Sequence, residues 1–396
     1  MTTCSAPWRG LHIRTNGDIS TCCAGSIGTP LGNIHHNKFE DVLNNDKIKE
    51  VRQSIKNGKL HPEYCKYCID IKKQNLRSEL DWHNDVNQDF NIDKANLDYE
   101  FPTLFDARWN NTCNSSCLYC DENQSSKWAS IKKSENFSKT ITQKEYLNNY
   151  FQKNSKNWKQ ISLVGGEPLM IKENLLILDS CPKNIPISII TNLSTDLSTS
   201  KVFEKLKTFK KVRWHISFDN VQQHYEYVRQ GSQWSQLIEN FKILGDIVRI
   251  TRDIDHEVQI MSVLHILNIT KLKELKEFSR EAIKYFKYKI WPTNELEIVW
   301  QSLNGQSLYE LDIHNYGKDF SNIFINSISQ YLNMNVQENE KVFFNTLIEK
   351  MKSNDTIQTR EKLKKSLLKW VNINAMRFNN VGIFEKLYPE YTNLLK

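Results

Sequence analysis

From about residue 103 the chain alternates between short runs rich in β-branched and aromatic residues and longer stretches with apolar residues three and four apart. The short runs are TLFDARW (103–109), QISLVGG (160–166), ISIITN (187–192), KVRWHISFD (211–219), EVQIMSVLHI (257–266) and YKIWPT (288–293). They predict strands, and those that are apolar throughout predict burial on both faces. Among the intervening stretches, ITQKEYLNNYF offers a capping box, with Thr142 at the N-cap and Glu145 three residues on. In SQWSQLIENFKIL, the residues Trp234, Leu237, Ile238, Phe241 and Leu244 recur at helical spacing. Repeated strand–helix units predict parallel strands joined by right-handed crossovers. Six such units make an α/β fold of the partial (β/α)6 TIM-like barrel type, with its chemistry at the C-terminal strand ends.

Ahead of the barrel the pattern changes. GLHIRTNGDISTCC reads as a β-hairpin with Asn16-Gly17 as a type I′ turn, followed by one helix over 39–57 and then by HPEYCKYC. After about residue 305 the chain reads as helical. The expected organisation is therefore a small Cys-rich hairpin-and-helix module (1–95), the partial barrel (96–300) and a C-terminal helical tail (301–396), with no internal repeat.

The chain has 396 residues, 39% hydrophobic and 25% charged, the composition of a folded globular protein. Its net charge of +7 is spread along the sequence, so the Lys-rich stretches read as solvated helix faces and a nucleic-acid partner is not expected. No apolar run is long enough for a membrane span, and MTTCSAPWRG has no signal-peptide pattern, so a cytoplasmic location is expected. In a reducing compartment clustered cysteines bind metal or do chemistry more often than they pair. Eight of the nine cysteines cluster: Cys4 with Cys22 and Cys23, Cys65 with Cys68, and Cys113 with Cys117 and Cys120. Cys181 stands apart and reads as a small buried apolar residue.

TCNSSCLYC sets Cys113, Cys117 and Cys120 at C-x3-C-x2-C directly after a predicted strand. Structural zinc takes four ligands in paired spacings, and this triplet has no local fourth. A 4Fe–4S cluster has one iron for each of four thiolates, so three thiolates leave one iron open to an outside ligand.

This triplet after FDARWNNTCN, an aromatic Tyr119 just before the last cysteine, and GGEP at the end of the next strand together resemble the radical S-adenosylmethionine (SAM) enzymes. The resemblance implies that the open iron chelates SAM. It also implies that one electron from the reduced cluster cleaves SAM to a 5′-deoxyadenosyl radical, which abstracts a hydrogen atom from substrate. It assigns Gly165, Gly166, Glu167 and Pro168 to the SAM pocket, Glu167 accepting from the SAM ammonium, and places Tyr119 near the adenine. Asn192 or Ser194 would meet the ribose, Ser217 and Asp219 would face SAM or substrate, and Arg229 would bind the SAM carboxylate. Asn220 stands where the family pattern has Gly after the Asp, and it tolerates positive φ. The alternative for each of Asn192, Ser194, Ser217 and Asp219 is to cap a helix or satisfy a loop, and for Arg229 to form a surface ion pair.

Cys4, Cys22, Cys65 and Cys68 resemble the auxiliary iron–sulfur modules called SPASM or twitch, with Gly17 five residues before Cys22. The resemblance implies a second, auxiliary 4Fe–4S cluster with no open iron, serving electron transfer or support; zinc is the alternative occupant. Neighbouring strand residues face opposite ways, so Cys22 is read as the ligand and Cys23 as structural. By analogy with relatives carrying such clusters, the expected substrate is a peptide or protein side chain. The alternatives are a small molecule such as a nucleotide, sugar or cofactor precursor, and a non-catalytic iron–sulfur or zinc protein. The module starts at Cys4, so no separate peptide-recognition domain is expected ahead of it. An external one-electron reductant such as flavodoxin or ferredoxin completes the expected partners.

Overall fold

A computed structural model describes residues 3–25, 30–73, 77–99, 101–134, 144–250, 255–286, 295–302, 310–315, 318–353 and 357–395. Its strands, in chain order, are β1 (Gly10–Ile13), β2 (Asp18–Ser20), β3 (Gly32–Asn33), β4 (Leu104–Ala107), β5 (Ser116–Cys117) and β6 (Gln160–Leu163). They continue with β7 (Ile187–Thr191), β8 (Lys211–Ser217), β9 (Arg229–Gln230), β10 (Asp255–Leu264) and β11 (Ile298–Ser302). The chain forms two compact units. One comprises Met1–Asn114, Asp121–His215 and Ile250–Glu257, and the other Ser115–Cys120, Ile216–Arg249 and Val258–Lys396.

In the first unit β1, β4, β6 and β7 pair in parallel, and β2 and β3 extend the sheet antiparallel from β1. The strand–helix alternation of the α/β class is present, with helices Lys144–Asn154, Asn174–Ser180 and Lys201–Leu206 between successive strands. The N-terminal hairpin belongs to this sheet, because β1 pairs in parallel with β4 over Gly10↔Leu104 to Ile13↔Ala107. One face is packed as expected: Phe105 and Trp109 meet Phe151 and Trp158 with ring centroids 4.9–6.0 Å apart. The other face departs from full apolar burial. His12, Asp106, Ser162 and Ser188 are in register across four adjacent strands, so they share it as a polar row.

Three local expectations are corrected. The hairpin turn is not type I′, since only Gly17 of the Asn16-Gly17 pair has positive φ, at 87°. Gly17 N donates to Arg14 O at 2.8 Å and Arg14 N to Asp18 O at 2.9 Å, giving a three-residue loop closed by a left-handed glycine. The single helix over 39–57 is two, Phe39–Val42 and Asp46–Lys56, because Asn45 caps the second through Ile48 N at 3.1 Å. A further parallel strand, β11, pairs with β10 over Ile260↔Ile298 to Leu264↔Ser302, at a position the pattern did not reveal. The predicted strand at 288–293 and the Thr142 cap lie outside the described residues.

In the second unit the C-terminal helices Lys318–Leu332, Glu338–Ser353 and Ile357–Arg377 follow β11. Their Phe324, Phe344 and Leu367 share one core with Leu264, Ile266 and Leu272 from the end of β10 onward, so the tail is part of that unit's core. No helix among the described residues is long and apolar enough to cross a membrane.

Candidate active site and cysteine cavity

In the first unit, adjacent parallel strands β4, β6 and β7 end in loops that meet. The loop after β4 carries Asn110 to Asn114, that after β6 carries Gly165 to Pro168, and that after β7 carries Asn192 and Ser194. Gly166 N donates to Asn110 O at 3.3 Å, and Glu167 N to Thr112 O at 2.7 Å. A Cβ on Gly166 would lie 2.2 Å from Thr112 O, and Gly165 has φ of 126°. The close approach at these glycines is thus to the backbone that delivers Cys113. Pro168 O accepts from Asn174 Nδ2 at 2.9 Å, fixing the turn into the next helix.

Glu167 is fully buried. Its Oε1 accepts from Thr191 Oγ1 at 2.6 Å and Leu169 N at 3.1 Å, and its Oε2 from Asn192 N at 2.8 Å. The carboxylate therefore holds the end of β7. Asn192 in turn donates from Nδ2 to Asn114 Oδ1 at 2.9 Å and approaches Cys113 Sγ at 3.9 Å. Its Oδ1 accepts from Ser194 Oγ at 2.8 Å, and Ser194 Oγ accepts from Asn114 Nδ2 at 3.0 Å. Asn114 was not singled out from sequence; its only signal was its place between two cysteines.

The second unit holds Cys117, Tyr119, Cys120, Ser217, Asp219 and Arg229. β5 pairs antiparallel with β9, setting Cys117 opposite Arg229. Arg229 Nη1 lies 3.7 Å from Cys117 Sγ, and Arg229 Nε donates to Asp219 Oδ2 at 3.1 Å. Arg229 Nη2 also meets the Tyr119 hydroxyl, which donates to Asp219 Oδ2 at 2.8 Å. Asp219 Oδ1 accepts from Val263 N at 2.8 Å, tying the group to β10. Both charges are buried. Burial would lower the Arg229 pKa, but the charges of Asp219, Tyr119 and Cys117 outweigh it and hold the guanidinium firmly protonated. Burial raises the Cys117 thiol, opposed by Arg229. The Tyr119 ring lies 5.3 Å from His265, a buried residue that sequence reading did not select. Among the described residues, Ser217 ends β8 without a side-chain hydrogen bond to Tyr119, Asp219 or Arg229.

The N-terminal cysteines come together in the first unit. Cys4, Cys22, Cys65 and Cys68 line one cavity with Ala6, Pro7, Leu60, Tyr64, Leu80 and His83 among its walls. Tyr64 fastens the Cys22 loop, its hydroxyl accepting from Thr21 N at 2.9 Å. Cys22 Sγ accepts from Gly25 N at 3.2 Å. Cys65 precedes the helix Lys66–Lys72 and Cys68 lies in its first turn, so one turn of helix presents both. Fully buried Arg52 donates to the carbonyls of Pro7, Leu43 and Leu97 at 2.7–2.9 Å and pins the Cys4 segment. Burial pushes the Cys65 thiol up to about 11 and raises Cys4, Cys22 and Cys68 as well. Cys23 turns elsewhere, to a hydrogen bond with Glu79 and the vicinity of Arg108 and Asp106. Four soft donors line one cavity, the ligand type that an iron–sulfur cluster takes.

The family profile of the Radical SAM superfamily matches residues 109–278, and that of the SPASM iron–sulfur cluster-binding domain matches residues 4–69. Similar solved structures include Streptococcus suis SuiB bound to S-adenosylmethionine, with 15% identity, a TM-score of 0.38 and 63% of each chain covered. SuiB bound to its precursor peptide SuiA has 15% identity and a TM-score of 0.40, covering 78% of this chain and 56% of that one. TYW1 with a lysine-pyruvate adduct has 11% identity and a TM-score of 0.34, covering 59% and 72%. The chain spans 56 to 63% of the length of these SuiB chains. No curated protein matches the sequence. The two profiles fall in turn on the two cysteine sets, so the chain carries a Radical SAM match over Cys113, Cys117 and Cys120 and, on its N-terminal side, an iron–sulfur cluster-binding domain match over Cys4, Cys22, Cys65 and Cys68.

Proposed function

We propose that the chain reductively cleaves SAM and uses the resulting radical to modify a peptide or protein side chain. Cys113, Cys117 and Cys120 hold the SAM cluster, and Cys4, Cys22, Cys65 and Cys68 hold the auxiliary one. When bound, the reduced three-thiolate cluster supplies an electron to SAM, releasing the 5′-deoxyadenosyl radical for hydrogen abstraction. The observation that carries this reading is the backbone joint between the GGEP turn and the Cys113 loop, Glu167 N to Thr112 O at 2.7 Å. It couples the two motifs that the reaction needs side by side.

The chain's own residues have separable tasks. Asn192, Asn114 and Ser194 present amide and hydroxyl groups beside Cys113. Arg229 stands beside Cys117 as a fixed cation and offsets thiolate charge there. Tyr119 and Asp219 hold that guanidinium in place. The auxiliary module supports the peptide assignment by analogy with relatives that carry such clusters and act on peptides. SuiB, a similar structure, is bound to a precursor peptide. An external flavodoxin- or ferredoxin-type protein provides the electron.

The test is anaerobic reconstitution followed by assay of 5′-deoxyadenosine with dithionite as reductant. Formation of 5′-deoxyadenosine supports the reading, and its absence under every reductant overturns it. Deuterated candidate peptides should then pass deuterium into 5′-deoxyadenosine. Transfer only from a deuterated metabolite would replace the peptide by a small-molecule substrate.

A further inference from the structure

We propose that His83 is the hydrogen-bond donor that sets the reduction potential of the auxiliary cluster, an inference that rests on reading Cys4, Cys22, Cys65 and Cys68 as that cluster's ligands. His83 lines the cavity those four thiols share. The rest of the lining is apolar Ala6, Pro7, Ala24, Leu60 and Leu80 together with polar Thr21, Tyr64 and Glu79, none of which hydrogen-bonds His83 Nδ1. His83 is 4% exposed, and its Nδ1 is buried with no hydrogen-bond partner among the described residues. A buried polar group left without a partner is costly, and native chains seldom keep one. Its place on the wall of a four-thiol cavity supplies the missing partner in a cluster sulfur.

The ring is held there. Its helix, Glu79–Val86, starts at a capping box between Ser78 and Asp81. The His83 carbonyl accepts from Ser5 Oγ at 2.9 Å, next to Cys4 in sequence. The ring packs 4.8 Å from Trp82, and a Cβ on Gly10 would lie 3.1 Å from its Cε1. Four thiols already match four irons, so the imidazole is assigned to outer-sphere donation rather than ligation. One-electron reduction adds negative charge to the cluster without moving a proton of the chain. A fixed N–H beside a sulfur stabilises the reduced form more than the oxidised one and raises the potential.

The experiment compares reconstituted full-length protein with its His83→Leu and His83→Gln variants by dithionite titration followed by EPR, with iron, sulfide and zinc assays. The SAM cluster's signal is identified as the one lost in Cys117→Ala. His83→Leu should keep the wild-type iron content and lower the potential of the other signal only. His83→Gln, which retains an N–H donor, should restore most of the shift. Unchanged potentials at full iron content would overturn the proposal, as would loss of about half the iron in both variants, which would make His83 a ligand or a packing element. Zinc in place of the auxiliary iron would overturn it too. A potential shift in protein that forms no 5′-deoxyadenosine would instead sink the SAM-cleavage reading and leave this one standing.

Discussion

Cys117 and Arg229 face one another across a two-residue antiparallel ladder, with the guanidinium Nη1 3.7 Å from the sulfur. A cysteine of the triplet thus has a fixed cation as its neighbour. That cation is itself locked by Asp219, Nη2 to Oδ2 at 3.0 Å.

Because both charges are buried, removing one strands the other. Arg229→Met should destabilise by about 3–5 kcal/mol, and Asp219→Asn by a comparable amount. The double variant should cost less than the two losses added, since neither charge is then unpaired. Urea unfolding of the four proteins checks this, and strict additivity would show that the pair is not coupled.

At Gly166 any side chain meets backbone, with Thr112 O 2.2 Å from the position of a Cβ. Gly166→Ala should cost about 1–3 kcal/mol by overpacking and displace the Cys113 loop. Iron content after reconstitution should fall together with the thermal midpoint. A variant with wild-type stability and iron would mean the two loops are not tightly joined.

Glu167 spends its oxygens on Thr191, Leu169 and Asn192. Glu167→Gln turns one acceptor towards N–H donors and should destabilise by about 1–3 kcal/mol even without SAM. Chemical denaturation and SAM binding are measured on the same preparation. Lost SAM binding at unchanged stability would assign the carboxylate to the cofactor rather than to the strand end.

The two cysteine sets should separate by function. Cys117→Ala should abolish 5′-deoxyadenosine formation, whereas Cys65→Ala should retain slow cleavage. Product analysis by chromatography decides it, and equal loss in both variants would contradict the division of labour.

Asn45 offers a control away from both cysteine sets. Its side chain caps Asp46–Lys56 through Ile48 N. Asn45→Ala should cost about 1 kcal/mol and leave 5′-deoxyadenosine formation unchanged.

Much of this was legible along the chain because the signals are local. Strand-helix alternation comes from short-range periodicity, and Cys113, Cys117 and Cys120 lie within eight residues of one another. The C-terminal helices were legible for the same reason. Local reading erred where a neighbour in space or a cap decided: Asn45 divided a helix, and β11 took its identity from pairing with β10.

The sequence by itself determined the α/β class and the match to the radical SAM domain, since the thiol spacing and GGEP are chemistry written in consecutive residues. Only the tertiary structure decided which groups stand together: Arg229 beside Cys117, Asn192 beside Cys113, His83 in the cavity of four thiols. Each of those contacts joins residues 15 or more apart. It therefore depends on strand pairing, buried charge and close backbone approach, and no local pattern encodes those.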